Sequence, residues 1–404
     1  MIYLDSAATS LLKPPSVACA ASMAIRTMAS PGRGGHSAAM RAADTVFACR
    51  AAAAALFHVP EPERVVFTMN ATHALDIAIH SLVSPGDPVV ISGYEHNSVT
   101  RPLYALGAQV RVAASPLFNP AAAVDAFRRA LPGARAAVCT MVSNVFGYLL
   151  PVQEIAELCA AARVPLIVDA SQAAGCVALD ASALGAAFVA MPGHKGLLGP
   201  QGTGILLCFA QPEPLLYGGT GSQSMLQTMP EQLPDRLEAG THNVPGIAGL
   251  LAGIRYVSAQ GVDNIARRER RLSQNLSERL RRETRLEVFA SPDASCQTAV
   301  LSVRCRDMDC ETLAQALAHS GIAVRAGLHC APVAHRTAGT LETGTVRLSL
   351  SPFTTDADIA HTARAFHDIL RTGKSRKSQH IFSKKHKKVS NKGSKAGGED
   401  SVSG

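Results

Sequence analysis

The stretch "FVAMPGHKGLLGPQGTGILLC", residues 188–208, places a lysine between two apolar segments. Residues 188–191 and 205–208 have the composition of short buried strands, and five glycines lie between residues 193 and 204. A lysine held at the edge of a sheet loses solvent, which lowers the pKa of its amine and makes it a nucleophile. Lys195 is therefore a candidate catalytic residue. A surface lysine in a hairpin has the same local pattern, so the rest of the chain has to decide between the two interpretations.

Upstream of this stretch, strand patterns alternate with helical patterns. The predicted strands cover residues 64–68, 87–92, 108–114, 136–144 and 164–169. Strands that alternate with helices at this spacing predict an α/β fold with a mostly parallel, doubly wound sheet and helices on both of its faces.

Polar residues recur where these strands end. In such folds ligands bind at the carboxyl ends of the strands, so residues at several strand ends are expected to share one site. The residues in question are Thr68 to Thr72, His96, Asn144, Asp169, His194 and Lys195.

The segment "TMNATH", residues 68–73, lies between a predicted strand and a predicted helix. The backbone N–H groups of Ala71 and Thr72 can point at a phosphate there, and the helix dipole favours the anion. An ordinary helix N-cap by Asn70 or Thr72 is the alternative interpretation.

Three further strand-end residues suit an aromatic cofactor. Asp169 ends the apolar strand "LIVD", where its carboxylate could keep a heterocyclic nitrogen protonated, and Gln172 could reach another ring substituent. His96 could stack on a planar ring. Taken singly, Asp169 could instead cap a following helix and His96 could be a solvated loop residue. Together with Lys195 and a phosphate site, the set describes a pyridoxal-phosphate pocket, in which the cofactor acts as an electron sink.

Composition narrows the class of protein. A chain of 404 residues with 47% hydrophobic and 17% charged residues is expected to fold into two lobes. No secretory leader and no membrane span of roughly 18 apolar residues is recognisable. The ten cysteines are scattered singly, as is typical of buried thiols in a reducing compartment, and no metal site is predicted. We expect a cytoplasmic protein without membrane contact.

The net charge of +8 is concentrated at the C-terminal end. Nine Lys and Arg residues and two acids follow residue 372, which leaves 30 basic and 29 acidic residues in the rest of the chain. The segment 373–404 is predicted to be a disordered basic tail. This tail raises the alternative of a nucleic-acid-binding protein on an inactive enzyme scaffold. Its aromatic content is a single Phe382, which favours non-specific contact at most.

A long charged helix, predicted at 261–284, indicates a change of lobe. Residues 286–370 then alternate strand and helix again, which predicts a smaller α+β domain. The predicted division is a large domain of residues 15–254, with residues 1–14 and 255–372 forming the small domain.

Seven motifs stand in the order and spacing typical of one enzyme family. They are "YLDSAATS" (3–10), "EHNSV" (95–99), "SNVFG" (143–147), "VDASQ" (168–172), "GHKGLLGPQGTG" (193–204), "EAGTHN" (238–243) and "VRAGLHCAP" (324–332). The set resembles the cysteine desulfurase and selenocysteine lyase family, in the class V aminotransferase group. The resemblance covers residues 2–370 and implies the pyridoxal-phosphate-dependent transferase fold of type I, with a seven-stranded, mostly parallel sheet.

The resemblance implies a role for each ring contact. Lys195 is similar to the lysine that binds pyridoxal 5'-phosphate, and Asp169 to the partner of its pyridine nitrogen. Gln172 resembles the residue that bonds the phenolic oxygen. His96 resembles the residue that stacks on the ring and takes part in catalysis.

The resemblance also implies contacts to the two anionic groups. Ala71, Thr72 and His194 match residues that contact the cofactor phosphate. Thr241 matches a residue that reaches this phosphate from a neighbouring subunit, which implies a homodimer with shared active sites. The residues expected to bind the substrate are Asn144, Arg347 and Arg325.

Cys330 resembles the nucleophilic cysteine of the family. The predicted reaction converts L-cysteine to L-alanine as the Cys330 thiolate takes the sulfur as a persulfide, ready for a sulfur-acceptor protein. Arg325 and His329 are expected to favour the thiolate. L-selenocysteine is an alternative substrate, and a class V lyase, epimerase or aminotransferase without persulfide chemistry is an alternative enzyme. A buried structural role is the alternative for Cys330 itself.

Two positions depart from the family pattern. The residue two positions before His194 is usually Ser or Thr, whose hydroxyl contacts the phosphate, but here it is Pro192, which has neither a hydroxyl nor an N–H. The residue after Thr72 is often Glu and here is His73. We expect the pocket to hold the cofactor with one contact fewer, or with a substitute.

Overall fold

The computed structural model describes residues 1–32 and 34–371, so the predicted basic tail lies outside the described residues. The strands, in chain order, are β1 (Ile2–Tyr3), β2 (Val65–Thr68), β3 (Pro88–Ser92), β4 (Gln109–Ala113), β5 (Ala136–Thr140), β6 (Leu166–Asp169), β7 (Phe188–Pro192), β8 (Gly204–Cys208), β9 (Leu286–Phe289), β10 (Val300–Cys305), β11 (Ile322–Ala323), β12 (Arg325–Gly327) and β13 (Thr345–Ser349). The helices are α1 (Pro15–Thr27), α2 (Ser37–Leu56), α3 (Ala71–Leu82), α4 (Asn97–Ala105), α5 (Pro120–Ala130), α6 (Val152–Ala162), α7 (Ala181–Leu184), α8 (Val244–Gln260), α9 (Val262–Leu280), α10 (Cys310–His319), α11 (Pro332–Thr337) and α12 (356–371).

A seven-stranded sheet forms the centre of the larger part of the molecule. Its strand order is β2-β8-β7-β6-β5-β3-β4. Strands β4, β3, β5, β6 and β7 pair in parallel, whereas β8 runs antiparallel to both of its neighbours. Apolar clusters cover both faces, one beneath α3 and α4 and the other beneath α2, α6 and α8. The predicted α/β fold with a mostly parallel sheet is confirmed.

The lysine stretch joins two neighbouring antiparallel strands of this sheet. Pro192 of β7 pairs with Gly204 of β8, so the loop between them is a wide hairpin. Its glycines allow close packing: a Cβ on Gly193 would lie 2.2 Å from the Thr203 hydroxyl oxygen, and one on Gly196 would lie 2.3 Å from a backbone carbonyl oxygen. Larger residues at these two positions would push the lysine out of place.

A second core surrounds a four-stranded antiparallel sheet of order β12-β13-β10-β9. The N-terminal strand β1 pairs with β11, with Ile2 opposite Ile322, so the first residues join this second part. Helix α8 continues to Gln260, and the predicted boundary at residue 254 therefore falls inside that helix. The division into two domains stays a prediction.

The structure bears on two expectations from the sequence: that most cysteines are buried thiols, and that no segment spans a membrane. All ten cysteines are free thiols, and Cys49, Cys139, Cys159, Cys208, Cys305 and Cys310 are buried. Burial raises the pKa of several of these thiols, as expected for inert residues. Cys330, in contrast, is exposed. In residues 1–32 and 34–371, no helix combines the length and apolar character that a bilayer span requires.

Candidate active site

A cavity opens at the carboxyl ends of β2, β5, β6 and β7 and contains Lys195; it is called the lysine cavity below. Eight of the predicted site residues line it: Ala71, Thr72, His96, Asn144, Asp169, Gln172, His194 and Lys195. Residues that lie up to 124 positions apart in the chain therefore meet at one edge of the sheet, as the strand pattern predicts.

Lys195 is held inside the protein and not on its surface. Burial lowers the pKa of its amine to about 8, and the carboxylate of Asp169 partly offsets this effect. Arg347 and Arg325 lower the pKa further, because a second positive charge nearby disfavours protonation. A substantial fraction of the amine is thus neutral near physiological pH, as a nucleophile or a general base requires.

Asp169 is 3% exposed and closes β6. Its Oδ1 accepts a hydrogen bond from the Ser171 N–H at 2.8 Å. Turns, not a helix, follow it, so the alternative of an N-cap to a following helix is wrong. Gln172 donates from Nε2 to the Ala7 carbonyl oxygen at 2.9 Å, which ties this wall of the cavity to the N-terminal segment.

The start of α3 has both the helix N-cap and the free N–H groups that its sequence suggested as alternatives. The Asn70 side chain accepts from the His73 N–H at 2.9 Å and is a helix N-cap. The N–H groups of Ala71 and Thr72, in the first turn, have no acceptor among the described residues. They face a cavity whose other walls carry Lys195, which makes this helix start suited to an anion.

Two histidines line the same cavity as neutral imidazoles. His96 caps α4, since its Nδ1 accepts from the Ser98 N–H at 3.0 Å. Burial lowers the pKa of His96, and Asp169 partly opposes this. His194 Nδ1 lies 3.0 Å from the Thr9 hydroxyl oxygen, and burial together with Lys195 lowers the pKa of His194 to about 4. The capping role of His96 is additional to the predicted stacking role.

Arg347 and Asn144 adjoin one another beside the cavity. The Arg347 side chain is 3% exposed, and its Nη1 donates to the Asn144 carbonyl oxygen at 3.0 Å. Its Nη2 donates to Asp5 Oδ1 at 2.9 Å, and Arg325 Nε donates to Asp5 Oδ2 at 3.2 Å. Arg347 Nε and Asn144 Oδ1 are buried without a hydrogen-bond partner among the described residues. Such orphaned buried atoms are costly and mark a place where a polar ligand can bind.

Cys330 lies on a loop whose backbone carbonyl oxygens accept hydrogen bonds from Asn97 and from the side chain of Asn144. The Asn97 N–H, at the start of α4, donates to the Cys330 carbonyl oxygen at 2.7 Å. Asn144 Nδ2 donates to the His329 carbonyl oxygen at 2.8 Å. His329 and Cys330 have φ values of 50° and 56°, a left-handed conformation that costs non-glycine residues about 1 kcal/mol or more each. The surrounding contacts hold this strained turn, so an exposed thiol is presented beside the lysine cavity.

Thr241 does not join the other predicted residues. It lines a second cavity of about 850 Å³, together with Met69, His73 and Glu238. Glu238 fixes this segment, because its buried carboxylate forms an ion pair with Arg50 at 2.8 Å. The linings of this cavity and of the lysine cavity share no residue. Within one chain Thr241 is therefore separate from the lysine cavity.

Three residues in or next to the site were not predicted to take part in it. Asp5 pairs with both Arg347 and Arg325, and Ser98 lines the lysine cavity. Glu95 is fully buried, accepts from the Thr140 N–H at 2.7 Å, and has its pKa raised to about 8 by burial. All three lie within or beside quoted motifs. A charged or hydroxyl residue next to a motif histidine was the available signal for Glu95 and Ser98.

The pKa of Lys195 predicts how pH affects its reactivity. The neutral amine attacks a carbonyl, so the rate at which Lys195 captures pyridoxal should rise with pH and level off near the lowered pKa of about 8. An ordinary lysine, with a pKa of 10.5, would keep gaining reactivity up to that value. Borohydride trapping of the apoprotein at a series of pH values, with mass spectrometry of the Lys195 peptide, measures the profile. Nα-acetyl-lysine serves as the control, and a matching profile for the two amines would contradict the prediction.

Comparisons with known proteins agree with this geometry. Residues 2–361 match the profile of the family described as aminotransferase class-V. A probable cysteine desulfurase of Methanothermobacter thermautotrophicus is 31% identical over 387 residues, which are 92% of this chain and 95% of that protein. One from Xylella fastidiosa is 32% identical over 375 residues, 89% of this chain and 88% of that protein. The apo structure of a cysteine desulfurase from Thermococcus onnurineus superposes with a TM-score of 0.84 at 28% identity and covers 92% of this chain and 95% of its own.

Proposed function

The chain belongs to the aminotransferase class-V family, and we propose that it is a pyridoxal-phosphate-dependent cysteine desulfurase. It converts L-cysteine to L-alanine and keeps the sulfur as a persulfide on Cys330. The observation that carries this proposal is the anchoring of the Cys330 loop, whose carbonyl oxygens accept from Asn97 and Asn144 at the edge of the lysine cavity. A thiol and a depressed-pKa lysine at one site suit transfer of sulfur from an amino acid.

The residues of the cavity fit pyridoxal 5'-phosphate. Lys195 would bind its aldehyde carbon, and Asp169 would pair with its pyridine nitrogen. The unpartnered N–H groups of Ala71 and Thr72 fit the phosphate, as does the neutral imidazole of His194. When bound, the cofactor supplies an electron sink for the carbon next to the amino group of the substrate.

The side chains around the reacting carbon would have three different roles: proton transfer, stabilisation of charge and binding of the substrate carboxylate. Lys195 would remove the α-proton and later return a proton, for which its pKa of about 8 is suited. Buried Asp169 would keep a positive charge on the pyridine nitrogen facing it. Arg347 Nε, which has no partner among the described residues, would bind the substrate carboxylate with the support of Asn144.

Cys330 would perform the sulfur transfer. Its thiolate attacks the sulfur of L-cysteine, so that an S–S bond forms as the Cβ–S bond of the substrate breaks. The electron pair of the broken bond stays with the substrate carbon, which takes up a proton and leaves as L-alanine. The sulfur then rests on Cys330 as a persulfide, from which a thiol-bearing sulfur-acceptor protein would take it.

The proposal is tested by incubating the purified chain with pyridoxal phosphate and L-cysteine in the presence of a thiol reductant. We expect alanine and sulfide in equal amounts, and a visible absorbance band that borohydride removes. Production of pyruvate and ammonia, or transfer of the amino group to a keto acid, would favour another class V lyase or an aminotransferase. L-selenocysteine, assayed in parallel, measures the substrate preference.

Our proposal includes a homodimer with shared sites. Thr241 lines a cavity separate from the lysine cavity of its own chain, which supports a role toward the phosphate of a second copy. Large apolar side chains are exposed nearby, including Met69 at 56% and Tyr217 at 76%. Exposed apolar patches are typical of protein interfaces.

We also propose a cytoplasmic location. The nucleic-acid alternative rests on residues outside the described ranges and is not proposed.

A further inference from the structure

One wall of the proposed phosphate site lacks a donor. Pro192 lines the lysine cavity at the end of β7, and proline offers neither a hydroxyl nor an N–H there. A phosphate has several strong acceptor oxygens, so a missing donor weakens its binding. The inference below rests on the proposed function, since it concerns how this chain holds the cofactor phosphate.

Ser98 places a hydroxyl at the same site from another element. It is the second residue of α4 and lines the cavity with Ala71 and Thr72. Its Oγ lies 2.8 Å from the Thr72 hydroxyl oxygen, on the first turn of α3. The starts of two helices thus meet at this hydroxyl pair. Both starts carry partial positive charge, which favours an anion.

The hydrogen bonds around Ser98 leave its proton free to turn toward a ligand. His96 Nδ1 accepts from the Ser98 N–H at 3.0 Å, so this ring nitrogen carries no proton. The Ser98 Oγ lies 2.9 Å from the same nitrogen. Among the residues that the structure describes, the acceptors within reach of the Ser98 proton are therefore the neutral His96 nitrogen and the Thr72 oxygen. An anionic phosphate oxygen is a stronger acceptor than either, because hydrogen bonds to charged groups are about twice as strong as neutral ones.

We propose that Ser98 supplies the hydroxyl donor that Pro192 cannot, and that it binds the phosphate of pyridoxal 5'-phosphate together with Thr72. A phosphate contact that the family pattern places at the end of β7 would thus come from the start of α4 in this chain.

The test compares cofactor affinity in matched variants of the full chain. Ser98→Ala should weaken binding of pyridoxal phosphate to the apoprotein by about tenfold to a hundredfold, the scale of a lost hydrogen bond to a charged group. Affinity for pyridoxal, which lacks the phosphate, should stay unchanged. Thr100→Ala on the same helix is the control, since its hydroxyl faces Asn97 Oδ1 within α4 and should not affect either affinity. Titration followed by absorbance measures both affinities for the parent chain and for each of the two variants.

A second variant gives the complementary result. Pro192→Ser returns a hydroxyl to β7, and in the Ser98→Ala background it should restore most of the lost affinity for pyridoxal phosphate. Equal affinity of Ser98→Ala and the parent chain would overturn the inference, as would an equal loss for pyridoxal and its phosphate. If Ser98→Ala does not fold, Ser98→Cys replaces it, since a thiol is a weak donor of similar size. A parent chain that does not bind pyridoxal phosphate at all would instead sink the proposed function.

Discussion

Replacing Lys195 by alanine should reduce turnover of L-cysteine by about four orders of magnitude, because the chain would lose both the group proposed to bind the cofactor covalently and the proposed general base. Burial keeps this amine partly neutral at physiological pH, with a pKa of about 8. The described cavity lining contains no other lysine that could substitute for it. Alanine formation under saturating L-cysteine measures the loss. Mass spectrometry after borohydride treatment should show that the covalent adduct is lost as well.

Lys13→Ala is the matched control for that experiment. Lys13 is half-buried, and burial lowers its pKa to about 8 as well, but its amine bonds the Ser10 carbonyl oxygen at 2.8 Å and lies outside the lysine cavity. We expect this variant to keep its adduct and most of its turnover. That result would show that a lysine with a lowered pKa is not required for activity unless it also lies in the lysine cavity. Near-normal turnover by the Lys195 variant would refute the catalytic assignment.

Replacing Cys330 by alanine should reduce sulfide release from L-cysteine on the order of 10³-fold, as is common when a nucleophile is removed. Binding of the cofactor should be unaffected, because Cys330 contributes backbone contacts to the site and alanine keeps them. Sulfide and alanine are measured with saturating substrate. In the parent chain, alkylation followed by mass spectrometry should find a persulfide at this residue.

Cys19→Ala is the control, since Cys19 is the other exposed cysteine of the described residues. Its loss should leave sulfide release unchanged. Cleavage of L-selenocysteine can proceed without the cysteine nucleophile, so both substrates are assayed in each variant. Unchanged sulfide release after loss of Cys330 would exclude the desulfurase mechanism and favour another class V lyase.

Much of the architecture could be predicted, because local patterns determine it. The alternation of apolar strands and helices predicted the parallel sheet, and the strand ends predicted which residues meet. The interpretation of the lysine stretch as a hairpin was correct in geometry, since β7 and β8 are antiparallel neighbours. The implied surface position was not, because burial depends on the helices and on the second core packed around the loop. Such packing is set by distant residues and has no local pattern.

The parts that could not be predicted depend on long-range contacts or on backbone strain. Asp5 and Arg347 pair across 342 positions of the chain. The left-handed backbone at His329 and Cys330 has no glycine to indicate it, since both residues are held there by hydrogen bonds from other elements. The separate position of Thr241 also had no sequence signal beyond the family resemblance.

The sharing of Asp5 by two arginines has a consequence for selectivity. One carboxylate pairs with the guanidinium groups of Arg347 and Arg325, so these three side chains together carry a net charge of +1. An amino acid brings the missing counter-ion in its carboxylate. We therefore expect the proposed site to prefer a free amino acid over its amide or ester of the same shape, because the neutral group of an amide or ester cannot balance this charge.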